Sequence, residues 1–567
     1  MRRYERAFAR GIARAGGLDE GRVAELVKVP EPERGDLTLP CFPFAKERRK
    51  SPVAIAAELA EAFAPDERFE RVEAAGPYLN ATIAPGHLVR EQVAEIRRRG
   101  ERFASSEAGA GRTAVVEFSS PNIAKPLGFH HLRSTMIGNA LARIHRALGY
   151  RVVTINFLGD WGKTFGLLAE AFERWGDRDE LEARGIAYLL ELYLRANRAL
   201  EEDDGFDEAA RAMFRRQEDG DARALELWGL FRGISLAEFQ RIYDRLGVRF
   251  DHVEGESAYR EDLDRTVERV AKTAGTREDQ GALVVDMAYT DGEPPLMLRK
   301  RDGATLYATR DIAAAIDRFE RFDFERSLYV VGVEQQRHFE LLVRALEAMD
   351  LDWARRVVHV PFGRVQGMST RRGNVVFLEQ VLDEARERAR EKMREVAGER
   401  DLDLDAVSEL VGVGGVVFGD LKNLRTSDYR FDWEEVLNPR GFTGICVQYA
   451  HARCCSILEK AGGAPADPDL SSLSSAEEVA LVKALARLPG AVEDAAASLE
   501  PSRLARAVYE AARAWNRYQQ AGNADRALRV LTDDAPRRAA RLALVDAVRV
   551  ALARGLDLLG VAAPAAM

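Results

Sequence analysis

The sequence predicts a multidomain α/β protein: a parallel-sheet domain interrupted by helices, a small α+β domain before it and an all-α bundle after it. Three observations carry that reading. TAVVEFSS (113–120) has the pattern of a buried strand, SPNIAKPLG of a loop, HHLRSTMIGNALARIHRALG of a helix stopped by Gly149, and YRVVTINF of a second strand. That order is a βαβ unit, which builds parallel sheet and places ligands at the carboxyl ends of the strands. Strand-like runs then return as GALVVDMAY, LYVVGV and VVHVPF, each beside a helical stretch. The last third has almost only helical periodicity, with an apolar stripe at Leu542, Val545, Val548, Leu552, Leu556 and Leu559.

Taken in order, residues 1–108 mix a helical SPVAIAAELAEAF with the short apolar run PYLNATI and close in the polar break ERFASSEAGAGR, which marks a separate small domain. Residues 109–385 form the sheet domain. A helical insertion over about 163–275 is expected from Leu189, Leu192, Ala196 and Leu200 at helical spacing and from the acidic break EEDDGFDE. Residues 386–567 make the bundle. The run GVGGVVFGD at 412–420 lacks a Gly-Lys-Ser/Thr ending and follows no strand, so it reads as close helix packing rather than a phosphate loop.

Composition excludes several classes. With 567 residues, 46% hydrophobic and 31% charged, the chain is long enough for several cores and is neither disordered nor a coiled-coil rod. A net charge of −9 argues mildly against nucleic acid unless basic groups are gathered locally. Only eleven of the 83 cationic side chains are lysines, which makes a lysine inside a motif, such as Lys125, stand out. The four cysteines, Cys41, Cys446, Cys454 and Cys455, form no CxxC pair and no zinc spacing, as expected of buried thiols in a reducing compartment. The amphipathic start MRRYERAFARGIARAGG has no apolar signal core, and no 18-residue apolar stretch occurs. A cytoplasmic protein with no membrane partner is expected.

Two segments carry chemistry. Ser119 to Thr135 places His130 and His131 where a loop becomes a helix, and a helix amino terminus with imidazoles suits a phosphate; capping or core roles are the alternative. VQGMSTRRGNVVF, from Val365 to Phe377, sets Arg371 and Arg372 beside Ser369 and Thr370. Such a basic, hydroxyl-rich loop can clamp a pyrophosphate, or be a solvated turn.

Together, GFHH at Gly128 to His131 and GMSTR at Gly367 to Arg371 resemble the HIGH and KMSKS signatures of class I aminoacyl-tRNA synthetases. More narrowly, SSPNIAKP, LRSTMIGNA, INFLGDWGKTFG, FRGISLAEFQRIYDRLGVRFDHVEGESAY, LYATRDIAAA, VVGVEQQRHF, MSTRRGNVVF and QYAHAR resemble the arginyl-tRNA synthetase family along nearly the whole chain. GDLTLPCFPFAK and GPYLNATI are similar to that family's amino-terminal domain. The resemblance implies a Rossmann-like catalytic domain, an amino-terminal domain for the tRNA elbow, and an anticodon-binding bundle. It implies formation of arginyl-adenylate from L-arginine and ATP, then transfer to the terminal adenosine of tRNA(Arg). Mg²⁺ would accompany ATP as part of the substrate, with no resident metal and no tightly bound cofactor, and the protein would be a monomer. In-line attack on the α-phosphate gains most from positioning and charge stabilisation, so donors and cations are expected rather than a nucleophile.

Carried over residue by residue, the resemblance implies catalytic roles for Lys125, His130, His131, Ser369 and Arg371, and ATP contacts from Gly128, Phe129, His131, Met368 and Ser369. It puts Glu117, Asn122, Tyr307, Asp311 and Gln335 around the arginine, whose guanidinium presents five donors in a plane. Such a pocket needs no separate editing domain. Tyr78 and Asn80 would meet the tRNA elbow. Tyr449, Trp515 and Tyr518 would stack on anticodon bases or fill the bundle core, with Arg453 on phosphate. The chain departs from the family pattern in two places. Gly128 stands where the first HIGH histidine is common, with His130 at the usual glycine, and Gly367 and Thr370 stand where KMSKS has lysines. Lys125, just upstream, would supply the missing charge. Another class I specificity and a non-catalytic tRNA-binding paralogue are the competing readings.

Overall fold

A computed structural model describes residues 1–290, 292–301, 307–367, 376–397 and 403–567. The signature residues Met368, Ser369 and Arg371 lie outside the described residues.

The amino-terminal body orders α1 (Arg2–Gly16), α2 (Glu20–Leu26), β1 (Leu37–Pro40), α3 (Ala45–Arg48), α4 (Pro52–Ala62), β2 (Phe69–Ala75), β3 (Tyr78–Ile83) and α5 (Pro85–Arg99). Its strands form an antiparallel sheet in the order β1-β3-β2. Helix α4 starts where the sequence supplies a cap: the Ser51 hydroxyl accepts from the Ala54 amide, and Pro52 opens the first turn. Phe8 of α1 meets Phe63 and Phe69 at ring distances of 5.9 Å, closing the core over the sheet.

The central sheet is parallel, in the order β11-β10-β4-β5-β6. Its members are β4 (Thr113–Glu117), β5 (Arg151–Leu158), β6 (His252–Gly255), β10 (Arg326–Tyr329) and β11 (Val357–His359), with α6 (His131–Ala147) crossing from β4 to β5. The chain leaves β4 toward β5 and β6 on one side and returns to β10 and β11 on the other. The order therefore reverses beside β4, and the crevice at the carboxyl ends of β4 and β10 is where such sheets bind ligands.

Two sequence expectations need correction here. The helical insertion comprises α7 (Lys163–Trp175), α8 (Arg178–Arg184), α9 (Ile186–Glu202), α10 (Asp204–Glu218) and α11 (Ala222–Leu246), so it ends near 246 rather than 275, because β6 already rejoins the sheet. GALVVDMAY does not resume the parallel sheet. After α12 (Leu263–Thr273) it supplies β8 (Ala282–Val285), between β7 (Thr276–Asp279) and β9 (Met297–Arg299), in a separate antiparallel sheet. Gln280 and Gly281 have φ of 50° and 83°, the two left-handed residues of a tight hairpin, which excludes a parallel crossover. Helices α13 (Tyr307–Phe322) and α14 (Gln336–Ala348) flank β10.

The carboxyl-terminal part holds α15 (Leu378–Ala397), α16 (Leu404–Leu421), α17 (Trp433–Val436), α18 (Gly444–Ala461), α19 (Ala476–Ala486), α20 (Leu488–Ser498), α21 (Ser502–Ala524) and α22 (Ala535–Leu558). The glycine run of α16 is packing, as its sequence suggests: a Cβ on Gly412 would sit 2.6 Å from the Ala385 backbone, and one on Gly444 2.8 Å from the Gly414 carbonyl. The amino-terminal body docks on this bundle, with Arg97 on Asp546 at 3.2 Å and the Met1 ammonium donating to the Ala486 carbonyl at 2.5 Å. No described helix is long and apolar enough to cross a membrane.

Candidate active site and RNA-binding groove

The site grows from the loop after β4. Ser119, Ser120 and Ala124 adopt left-handed backbone, with φ of 70°, 47° and 71°. Each costs of order 1–3 kcal/mol and persists only where its surroundings hold it. Here they do. The Ser119 amide donates to Ser134 Oγ at 2.9 Å, the Ser119 hydroxyl shares a hydrogen bond with Tyr243 at 2.8 Å, and the Ser120 amide donates to Asn156 at 3.2 Å. The Ala124 amide donates to Ser235 Oγ at 2.8 Å. Gly159 lets the loop close on β5, since a Cβ there would lie 1.8 Å from Asn122 Oδ1. This places Asn122, exposed, at the mouth of the crevice.

His131 opens α6. Its Nδ1 lies 3.0 Å from the Gly128 amide and 3.2 Å from the Gly128 carbonyl, so the backbone anchors that edge of the ring and Nε2 is turned away from it. Burial, reinforced by His130, pushes its pKa down to about 3, so the ring is neutral. The His130 ring lies beside it, tilted by 38° at 4.0 Å, and is more exposed. Gly128 bridges to Phe377, and the Phe129 amide donates to the Val376 carbonyl at 2.9 Å. The segment after the second signature is thereby stitched to the first. The segment before it, β12 (Val365–Gln366), pairs in parallel with β13 (Tyr429–Arg430). Buried Arg133 of α6 ties these pieces together, donating to the carbonyls of Gly363 at 3.1 Å and Ser427 at 2.8 Å beside Asp420 at 3.2 Å. Phe129 is corrected: its ring is 3% exposed and packs on Phe431 at 5.2 Å, so only its backbone faces the signature segments. The Lys125 ammonium rests 3.9 Å from the Tyr193 ring centre of α9, inside the helical insertion's reach.

Carboxylates line the other side. Glu117, at the end of β4, binds buried Arg318 through Oε2 at 2.5 Å, and burial raises its pKa against that pull. Among the described residues no donor reaches Glu117 Oε1. Asp311, one turn into α13 from Tyr307, is held by His338 Nε2 at 2.6 Å, and the His338 ring meets the exposed Tyr307 ring at 4.9 Å. Gln335 is exposed at the start of α14, its amide on the Gly332 carbonyl at 3.0 Å and its side chain without a hydrogen-bond partner among the described residues. His338 was not singled out from sequence, although it lies one helical turn after Gln335 in the same motif. Glu256, following β6, also escaped notice; burial pushes it up to about 7 despite Arg310 at 3.6 Å. It lines a 200 Å³ cavity with Asn122, Asp160, Trp161 and Lys163. Among the described residues no group of three or more His, Cys, Asp or Glu could hold a metal.

In the bundle, Trp515 and Tyr518 are corrected: they are 0% and 1% exposed and fill the core, because they lie on the buried face of α21. The opposite face builds a groove of 410 Å³, where Tyr449 is 43% exposed and Arg453 is joined by Tyr509, Arg513, Asn516 and Arg517. Four arginines and no carboxylate line it. The spacing Tyr509, Arg513, Asn516, Gln520 is one helical stripe and was the available signal. In the amino-terminal sheet Tyr78 stands edge-on to exposed Phe42 at 5.8 Å, whereas Asn80 is 6% exposed with its carbonyl oxygen taken by Thr38 at 2.6 Å.

Residues 92–433 match the family model for tRNA synthetases class I (R), catalytic domain; 447–567 match the DALR anticodon binding domain; and 2–83 match the arginyl tRNA synthetase N terminal domain. The arginine–tRNA ligase of Lactococcus lactis subsp. lactis is 43% identical over 555 residues, covering 97% of each chain. That of Streptococcus pneumoniae strain CGSP14 is 41% identical over the same length and coverage. The solved Thermus thermophilus arginyl-tRNA synthetase superposes with a TM-score of 0.84 at 27% identity, over 99% of this chain and all of that one.

Proposed function

The chain belongs to the arginyl-tRNA synthetase family and is an ATP-dependent arginine–tRNA ligase, and from that premise we propose how its residues divide the reaction. Arginine lies in the crevice between β4 and β10. Asp311 pairs with its guanidinium, Tyr307 packs on the side chain, Glu117 Oε1 and Asn122 take its polar backbone end, and Gln335 closes the ammonium side. What supports this most is the pairing of Asp311 with His338 at 2.6 Å beside Tyr307: a fixed acceptor and an aromatic wall, as a planar cation needs.

ATP lies against the start of α6. The neutral His131 ring meets the phosphates through Nε2, and the positive end of the α6 dipole favours negative charge there. His130 adds a second imidazole. Lys125 supplies the cation that the second signature lacks, while Ser369 and Arg371 follow the leaving pyrophosphate. Mg²⁺ arrives with the nucleotide and neutralises its phosphates. The arginine carboxylate attacks the α-phosphorus in line and the bond to pyrophosphate breaks; a hydroxyl of the terminal ribose of tRNA(Arg) then attacks the aminoacyl carbonyl, and AMP leaves.

The groove of α18 and α21 takes unpaired anticodon bases, stacking on Tyr449 and Tyr509 with arginines on phosphate. Tyr78 meets the tRNA elbow from residues 1–108, with Asn80 beneath it in the same strand. The protein works as a cytoplasmic monomer. Arginine-dependent exchange of labelled pyrophosphate into ATP, with and without tRNA(Arg), tests the reading: exchange is expected with tRNA, and none under either condition overturns it.

A further inference from the structure

We propose that His338 is a positioning residue that sets arginine affinity by fixing Asp311 and Tyr307; this rests on the pocket assigned above. A carboxylate on a short side chain has a broad terminal torsion and, left alone, presents its lone pairs over a range of directions. Bidentate capture of a guanidinium needs one plane. The geometry around Asp311 removes that freedom. His338 comes from α14, across the switch-point crevice from α13, and its Nε2 holds Asp311 Oδ2 at 2.6 Å. The His338 side chain is 10% exposed and that of Asp311 25%, so the bond is shielded on the histidine side and open on the carboxylate side. Oδ1 and the remaining lone pair of Oδ2 are left to the crevice.

The same imidazole does a second job. Tyr307 is 56% exposed and stands at the first turn of α13, where among the described residues the one aromatic ring it meets is that of His338. The His338 ring lies 4.9 Å from it, at 53°, and Phe339 meets the other edge of the imidazole at 5.4 Å. Phe339 is in turn stacked on His359 at 5.0 Å and packed against Tyr329 of β10. His338 thus connects the exposed aromatic wall and the acceptor of the pocket to the sheet. It touches neither the reacting carboxylate nor the α-phosphate site, so its effect falls on arginine binding alone.

The test is steady-state pyrophosphate exchange on the full-length chain with tRNA(Arg), reading KM for arginine and KM for ATP separately in His338→Leu, His338→Gln and Asp311→Asn. Loss of one hydrogen bond to a charged group predicts a rise of about ten- to a hundredfold in KM for arginine in His338→Leu. KM for ATP should change less than about threefold, within measurement of an unaltered ATP site. His338→Gln keeps an N–H within reach of Asp311 and should recover most of the loss. Equal rises in both KM values, or an unchanged KM for arginine, overturn the proposal. The control separates the two readings: an unaffected Asp311→Asn removes the pocket assignment and the proposal with it, whereas an impaired Asp311→Asn beside an unaffected His338→Leu removes the proposal alone. Circular dichroism melting of each variant guards the comparison, and if His338→Leu does not fold, an arginine KM in His338→Gln above that of the parent by more than about tenfold counts against donor-based positioning.

Discussion

Replacing Glu117 by Leu should destabilise the catalytic domain, and replacing Arg318 by Met as well should restore stability without restoring activity. Arg318 is fully buried, and its only carboxylate partner among the described residues is Glu117, at 2.5 Å. Its guanidinium lies between the rings of Phe157, 5.1 Å away, and Tyr329, 5.2 Å away. Those faces attract a cation by up to about 2 kcal/mol when desolvated, less than stripping it of its counter-ion costs. Breaking a buried pair from one side typically costs about 3–5 kcal/mol, whereas exchanging both partners for apolar groups of similar volume is close to neutral. Each single variant should therefore lower the thermal transition by about 10 °C, and Glu117→Leu/Arg318→Met should return to within a few degrees of the parent. Exchange activity should stay at least about a hundredfold down in both variants that lack Glu117, since a buried charged contact to the substrate is lost. Calorimetry and pyrophosphate exchange on the four proteins decide the matter. Additive losses of stability would show that the two groups are not coupled, and recovered activity in the double variant would remove Glu117 from the pocket.

Other outcomes follow from the same structure. His131→Ala should reduce exchange by about a hundredfold and His130→Ala by much less, because among the described residues the Gly128 backbone anchors the His131 ring through Nδ1 and no such anchor holds His130; equal losses count against the assignment. Since the His131 pKa lies at about 3, the acid limb of the exchange profile should keep its position in His131→Asn, and a shift of that limb would show that the ring titrates in the working range. His145, fully buried with its Nδ1–H on the Leu141 carbonyl at 2.7 Å, is pushed down from 6.5 to about 4 by burial. Its folded pKa is depressed, so its contribution is intact above pH 6.5 and is lost as pH falls toward 4. The stability gap between parent and His145→Gln should shrink by about 2 kcal/mol between pH 7.5 and 5, measured by urea unfolding, and a constant gap refutes the shift. Gly412→Ala should cost about 1–3 kcal/mol, because its methyl would meet the Ala385 backbone at 2.6 Å; an unchanged melting temperature would mean that α15 and α16 separate freely. Tyr449→Ala should weaken tRNA binding without affecting the melting temperature, whereas Trp515→Ala should cost about 3–5 kcal/mol.

The contrast between Tyr449 and Trp515 shows where sequence reading stops. Local signals were strong enough for the βαβ unit, because strand, loop and helix change period within 50 residues, and for the two histidines, because a helix start is a local event. Whether an aromatic residue on an amphipathic helix points inward depends on which face its neighbours cover, a tertiary fact. Trp515 and Tyr449 have the same chemistry in sequence and opposite fates in the bundle. The hairpin sheet was missed for a related reason: ALVV is apolar enough for a parallel strand, and only the left-handed pair Gln280–Gly281 makes it turn back on itself. His338 was missed because its meaning is relational. In sequence it stands 27 residues from Asp311 and becomes a pocket residue only when α14 crosses back over α13.

The same distinction resolves the charge. A chain at −9 repels a polyanion on average, yet what a tRNA meets within a screening length of about 8–10 Å is the local field. Exposed helix pairs, such as Arg178 with Glu182 and Arg184 with Glu180, neutralise arginines of the helical insertion, and in the bundle Arg513 lies 3.2 Å from Glu510, outside the groove lining. Around Tyr449 four arginines stand with no carboxylate in the lining. Reversing one of them, Arg513→Glu, should reduce tRNA affinity and flatten its dependence on salt, since one fewer phosphate counter-ion is displaced on binding. Arginine KM should remain unchanged, because the pocket at the switch point lies on a different domain. A salt slope equal to that of the parent would mean that the groove does not meet phosphate, and the local-field account of how this acidic protein holds RNA would fail.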